Sequence, residues 1–260
     1  MKNVALITGA SSGIGKEFAE IHAERGGDLV IVARSEDKLK QLKSDLESRH
    51  KIEVRVLVKD LSEPQAPQEV FDIVENEGIE LDILINNAGF GGHGKFHERE
   101  WADDLAMIHL NVIALAALTR LFLPGMVARG RGRVLNVSST ASLMAGPLQA
   151  VYFASKAFVT SFSNAIAEEL RGTGVTSTAL LPGATETKFA KVSGMDKTPL
   201  FKSAFPARGV AQDGYDGMMS GSLDVISGVS LFSRIQLAFV PLTPKSLVLR
   251  MTRKLQETTA

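Results

Sequence analysis

Apolar residues run along this chain in short, nearly unbroken bursts. Residues 4–7, 29–33, 53–58, 83–86, 134–137 and 176–181 are rich in Val, Ile and Leu and seldom alternate with polar positions. A strand covered on both faces reads this way, because both of its side-chain rows are buried. Between the bursts the apolar spacing changes to a helical period over residues 14–25, 36–47, 65–75, 100–127 and 150–171. Strand and helix taken in turn predict an α/β fold, a doubly wound parallel sheet in three α/β/α layers. A last strand is expected near residues 224–226, and the pattern beyond it is less regular. Residues 184–206 break the rhythm and contain Pro199, Pro206, Phe189, Phe201 and Phe205. A long irregular insertion in a compact domain is often a functional lid. No internal repeat or low-complexity tract divides the chain, so residues 1–260 are expected to form one domain, with a lid at 184–206 and a C-terminal extension at 228–260.

Composition narrows the function classes. Lysine plus arginine equals aspartate plus glutamate, 29 against 29, so no global field recruits nucleic acid. The absence of cysteine removes disulfides, thiolate nucleophiles and cysteine metal sites, and it fits a reducing compartment. The first apolar burst is too short for a signal peptide and glycines follow it at once, so a cytoplasmic protein is expected. The longer apolar stretches are interrupted by Arg120 and Arg234, and neither is expected to span a membrane.

The turn after the first strand reads Thr8-Gly9-Ala10-Ser11-Ser12-Gly13-Ile14-Gly15. Glycines there let backbone approach a pyrophosphate, and the helix that follows offers free N–H groups and a partial positive charge. A tight strand-to-helix turn without a ligand would use the same residues. The second strand ends at Ala33-Arg34. An acid in that place would bind the ribose hydroxyls of NAD, whereas Arg34 can take a 2′-phosphate, so NADP is favoured. Asp60, past the third strand, can accept from an adenine amine or cap the next turn.

Tyr152 and Lys156 stand four residues apart on an expected helix and share a face. A lysine ammonium beside a phenol favours the phenolate, which would bring the tyrosine toward useful acid–base values. Ser139 precedes the tyrosine by thirteen positions.

Taken together, Thr8 to Gly15, Asn86-Asn87-Ala88-Gly89, Asn111, Ser139, Tyr152 with Lys156, and Pro182-Gly183 with Thr187 resemble the short-chain dehydrogenase/reductase family, a Rossmann-type fold. The resemblance covers residues 4–187. It implies hydride transfer between NADP(H) and a carbonyl or alcohol carbon. Tyr152 would exchange the proton with the substrate oxygen. Lys156 would lower the tyrosine pKa and hold the nicotinamide ribose. Ser139 would polarise the oxygen, and Asn111 would hold a water leading from Lys156 to solvent. The spacing selects Ser139 over Ser138. The cofactor contacts implied are Gly9, Ser11, Ser12, Gly13, Ile14, Gly15, Arg34, Asp60, Leu61, Asn87, Ala88, Gly89, Tyr152, Lys156, Pro182, Gly183, Thr185 and Thr187. A binding protein that senses the dinucleotide without turnover is the rival outside enzymology, and the presence of both Tyr152 and Lys156 counts against it.

Phe90, Met144, Leu148, Phe153, Phe189 and Phe201 are candidates for an apolar substrate pocket, with ordinary packing as the alternative for each. His93 and His97 are expected in an exposed loop, His22 and His109 on helices, and no metal site is expected. Residues 228–255 carry Arg234, Lys245, Arg250, Arg253 and Lys254 without an acid. A helix packed on its own domain or on a partner subunit is the preferred expectation there. The competing one is contact with a membrane surface by a lipid- or steroid-type ketone reductase. A homodimer is expected through the helices around Asn111 and Tyr152, whereas the extension puts a tetramer's usual C-terminal contact in doubt.

Overall fold

The computed structural model describes residues 1–195, 198 and 204–257. Its sheet has seven parallel strands: β1 Val4–Thr8, β2 Leu29–Ala33, β3 Val54–Val58, β4 Leu81–Asn86, β5 Gly132–Val137, β6 Val175–Pro182 and β9 Asp224–Ser227. The spatial order is β3-β2-β1-β4-β5-β6-β9. The order reverses between β1 and β4, where a doubly wound sheet opens a crevice at its carboxyl edge.

Strand β1 shows why the bursts do not alternate. Ala5 and Ile7 join one core with Phe18 and Ile21, while Val4 and Leu6 join another with Val70, Leu118 and Phe122. The first core is covered by α1 (Gly13–Glu24), α2 (Glu36–His50) and α8 (Ala207–Ser220), and the second by α3 (Ala66–Asn76) and α5 (Leu115–Arg129). Strand β3 departs from this pattern. As an edge strand it exposes Arg55 and Val58, so only part of its run is covered.

The helix expected over residues 100–127 begins as α4 (Trp101–Ile108), passes through a π-helical turn at His109–Ala114 and continues as α5. By length and composition this run could cross a membrane, contrary to the expectation that Arg120 would break it. In the fold, its Leu118, Phe122 and Met126 pack on the sheet and Arg120 faces out, which is the pattern of a core helix.

Helix α8 was not among the expected elements, since Gly209, Gly214 and Gly217 interrupt its apolar positions. The structure gives the reason: a Cβ on Gly217 would stand 2.2 Å from Val225 Cγ2, so the helix lies closer to β9 than a side chain permits. His22 also ties α8 to the body. It lies buried, with Nδ1 2.8 Å from the Tyr215 hydroxyl and Nε2 2.7 Å from the Asn3 carbonyl.

The insertion at 184–206 is anchored at both ends by β7 (Thr185–Glu186) paired with β8 (Phe205–Pro206), and it carries the short helix α7 (Phe189–Val192). After β9 come α9 (Leu231–Phe239) and α10 (Lys245–Gln256).

Candidate active site

The carboxyl edge of the sheet opens into a cleft of about 1430 Å³. At one end lies the glycine turn. Thr8 Oγ1 accepts from the Asn87 and Ala88 amides at 2.9 Å each, and Asn87 Nδ2 donates to the Thr8 carbonyl at 2.9 Å. These bonds clamp the ends of β1 and β4 together at the reversal point. Gly9, Ser11, Ser12, Gly13 and Ile14 line the cleft, and Asn87, Ala88 and Gly89 border it opposite. Gly15 does not line it. A Cβ there would fall 2.4 Å from Asn87 Nδ2, so this glycine lets α1 pack on the clamp. The expectation of a direct contact from Gly15 is therefore corrected to a packing role. Ser12 makes no side-chain cap to α1, which leaves first-turn N–H groups available to an anion at the cleft.

Arg34, Asp60 and Leu61 line the same end. Asp60 accepts from Ser62 N at 3.0 Å and Ser62 Oγ at 2.7 Å, so it caps its turn while also facing the cleft. Burial alone would raise its pKa, but the Ser62 bonds and the Arg34 guanidinium outweigh burial and lower it. Arg34 Nη1 is 3.4 Å from Asp60 Oδ2 and otherwise open to solvent. Cations not anticipated from the sequence also stand here, among them Lys59, which pairs with Glu69 at 2.5 Å. Lys38 of α2 and Lys188 of the insertion both border this end, and they approach closely enough that Lys188 lowers the pKa of Lys38. Lys38 stands four positions after Arg34, a spacing that could have signalled it. The set fits a dinucleotide carrying an extra phosphate: glycines against backbone, unbonded helix amides, and Arg34, Lys38 and Lys188 with no acid at Ala33.

At the other end β5 and α6 (Ala150–Glu169) bring Ser139, Tyr152 and Lys156 together on the cleft wall. Ser138 and Ser139 face opposite ways, as consecutive extended residues do. Ser138 Oγ bonds the Lys156 carbonyl at 2.9 Å and the Thr160 hydroxyl at 2.7 Å, inside the protein. Ser139 turns to the cleft, where its hydroxyl donates to the Pro182 carbonyl at 3.4 Å and accepts from Ala141 N at 3.1 Å, near enough to Tyr152 to lower that phenol's pKa. Lys156 Nζ donates to the Val137 carbonyl at 2.8 Å and lies 6.0 Å from the Tyr152 ring centroid.

The expected electrostatics are corrected here. Burial dominates both groups. It pushes the Tyr152 phenol up to about 12, with the Ser139 hydrogen bond pulling the other way, and it brings Lys156 down to about 8. The lysine donates to a carbonyl rather than to the phenol, and burial decides the tyrosine's value.

Asn111 is buried in the π-helical turn and does not line the cleft. Its Oδ1 accepts from Phe90 N at 3.1 Å, and its Nδ2 donates to the Phe90 carbonyl at 2.9 Å and to Ser155 Oγ at 3.1 Å. Those bonds commit the amide to fixing the chain after β4. Asn111 still lies near Lys156: a Cβ on Gly89 would stand 3.0 Å from Asn111 Oδ1 and 3.4 Å from Lys156 Nζ.

Pro182, Gly183, Thr185 and Thr187 border the cleft between its two ends. Phe90, Met144, Phe153 and Phe189 line the part beside Tyr152, with the Phe189 ring 5.3 Å from the tyrosine ring. Leu148 does not line the cleft. It adopts a left-handed φ of 67° and its carbonyl accepts from Gly94 N, so the pocket expectation fails there. Phe201 lies outside the described residues.

The C-terminal extension, expected as a helix packed on its own domain or on a partner, roofs the cleft, a role the sequence did not point to. Ile235, Phe239 and Val240 at α9, and Val248, Met251 and Leu255 of α10, face into it. Gln256 holds the roof down, accepting from Gln149 Nε2 at 2.8 Å through its side chain and meeting His93 Nε2 at 2.7 Å through its carbonyl. His93 is thus a latch for α10 rather than a free loop residue, while His97 is exposed. Among the described residues no three His, Asp or Glu side chains gather as metal ligands.

Residues 3–198 match the family described as short chain dehydrogenase. The very-long-chain 3-oxoacyl-CoA reductase of Homo sapiens is 35% identical over 198 residues, covering 72% of this chain and 61% of that protein. A short chain dehydrogenase of Pseudocercospora fijiensis is 38% identical over 186 residues, covering 71% and 60%. The chain therefore spans about three fifths of the length of these relatives. Among solved structures, a short-chain dehydrogenase from Sphingobium yanoikuyae in complex with NADPH superposes with a TM-score of 0.83 at 30% identity, over 94% of each chain. A 7beta-hydroxysteroid dehydrogenase superposes with a TM-score of 0.86 at 27% identity, over 96% of each.

Proposed function

This chain belongs to the short-chain dehydrogenase family, and from that premise we propose that it is an NADP(H)-dependent oxidoreductase reducing an apolar aldehyde, ketone or 3-oxoacyl compound to its alcohol. The observation that carries this reading is the convergence of Ser139, Tyr152 and Lys156 on one wall of the cleft that begins at the glycine turn. The bound dinucleotide supplies the hydride, and the protein supplies position and proton. Gly9 to Ile14 and the α1 amides receive the pyrophosphate. Arg34 takes the 2′-phosphate, with Lys38 and Lys188 beside it.

In reduction the substrate oxygen gains charge as the carbonyl carbon receives hydride. Ser139 donates a hydrogen bond to that oxygen and Tyr152 gives it a proton. A phenol pushed up to about 12 by burial stays protonated at neutral pH and so has a proton to give. The resulting phenolate is stabilised by the Lys156 ammonium, which below about pH 8 keeps its charge. An apolar substrate is supported by the Phe90, Met144, Phe153 and Phe189 wall and by the α9–α10 roof. The 3-oxoacyl class is supported by likeness to the human 3-oxoacyl-CoA reductase.

The test is NADPH oxidation with a series of carbonyl compounds of increasing chain length. Wild type is expected to turn over the longer members faster. Tyr152→Phe should lose roughly 100-fold or more in kcat, the usual scale for a lost general acid. A Tyr152→Phe enzyme as fast as wild type would sink the mechanism.

A further inference from the structure

Helices α9 and α10 carry more apolar surface than their packing uses. No side chain of α9 is buried. Leu231 and Phe232 are 77% and 70% exposed, and Leu242 just beyond the helix is 79% exposed. None of the three lines the cleft. At 3.6 residues per turn Leu231, Phe232, Ile235 and Phe239 share one arc of α9. Ile235 and Phe239 also border the cleft, so the outer apolar face runs on into its mouth. Met251 and Leu255 continue it on α10, each about half exposed.

The charge on the same segment is one-sided. Residues 228–256 hold Arg234, Lys245, Arg250, Arg253 and Lys254 and no acid, in a chain whose charges balance only as a whole. Among the described residues Arg253 pairs with Glu257 at 3.1 Å, and the other four cations have no ion pair.

A second copy of the chain fits this face poorly. A two-fold pairing would set each group of five cations against its own copy, with Glu257 alone to offset them. An anionic lipid surface answers both properties, because apolar side chains enter the acyl boundary while Arg and Lys remain at the headgroups. We propose that the α9–α10 pair docks this protein on an anionic lipid bilayer, with the mouth of the cleft toward the lipid. The docking does not depend on the catalytic reading. That reading adds only that the apolar carbonyl chain enters between the helices from the membrane.

The experiment is co-sedimentation of the full-length protein with vesicles of phosphatidylglycerol and phosphatidylcholine, against phosphatidylcholine alone. Binding to the mixed vesicles is expected, weakening as salt screens the cations, since each basic residue near an anionic surface strengthens binding roughly fivefold. The triple variant Leu231→Glu, Phe232→Glu, Leu242→Glu should lose at least about tenfold in partitioning, as apolar burial turns into charge repulsion. Its turnover of a short, water-soluble carbonyl should match wild type, which also shows that it folds. Wild type left in the supernatant overturns the proposal, as does a variant that sediments like wild type. So does a dimer, measured by sedimentation velocity, that the variant dissolves. Absence of turnover with intact vesicle binding would count against the catalytic reading alone.

Discussion

At the residue scale, burial sets the chemistry of the Tyr152–Lys156 pair. Lys156 holds its proton more weakly in the folded protein, at about 8 against 10.5 for the free side chain. Between those values the unfolded chain binds more protons, so folding stability rises with pH across that window. Full relief is of the order of 3 kcal/mol. Chemical denaturation of the ligand-free protein at pH 8 and pH 10 should show the rise, and Lys156→Met should abolish it. In activity the sign reverses: NADPH-dependent reduction should fall as pH passes about 8, because the ammonium that stabilises the phenolate is lost. Arg34 provides a second test. Replacing it with aspartate puts a carboxylate where the 2′-phosphate is received, and the NADPH-over-NADH preference in kcat/KM should fall roughly ten- to hundredfold, the scale of a lost charge-assisted bond. An unchanged preference would move the phosphate site to Lys38 and Lys188. The sequence pointed to Arg34 through the strand end it follows. It could not point to Lys188, which reaches this place only because the insertion crosses the cleft.

At the element scale, two features depended on close approach and escaped a pattern reading. Helix α8 carries Gly217 because β9 lies against it, and Gly214 because Leu180 and Phe18 do. Gly217→Ala gains about 1 kcal/mol of helix propensity but forces a methyl onto the stiff Val225 side chain, which costs about 1–3 kcal/mol. The variant should therefore gain nothing and lose up to about 2 kcal/mol in urea unfolding, whereas the same change at a helix position free of neighbours would stabilise. The π-helical turn around Asn111 is the other feature. The residue is visible in the sequence, but the turn that aims its amide at Phe90 is not. The resemblance implied a water site there, and the fold adds a backbone clamp on Phe90.

At the scale of the whole molecule, the arrangement of surfaces separates assembly from docking. Trp101, Ile113 and Phe158 are exposed on the helices around Asn111 and Tyr152, with Phe158 stacked on Phe162 at 5.6 Å. The expected homodimer would pair through this face. Phe158→Glu should shift the protein to monomer in sedimentation velocity while leaving vesicle binding by α9–α10 unchanged.

The sequence by itself determined the sheet, the glycine turn, and the identities of Ser139, Tyr152 and Lys156. These depend on local periods and short spacings: a doubly covered strand must be apolar throughout, and one helical turn must bring residues i and i+4 to the same face. Tertiary structure alone decided that Lys156 addresses Val137, that Asn111 clamps Phe90, that His93 latches α10, and that α9 and α10 roof the cleft. Each of these joins residues distant along the chain, and burial and long-range contacts leave no period in a sequence for a pattern to detect.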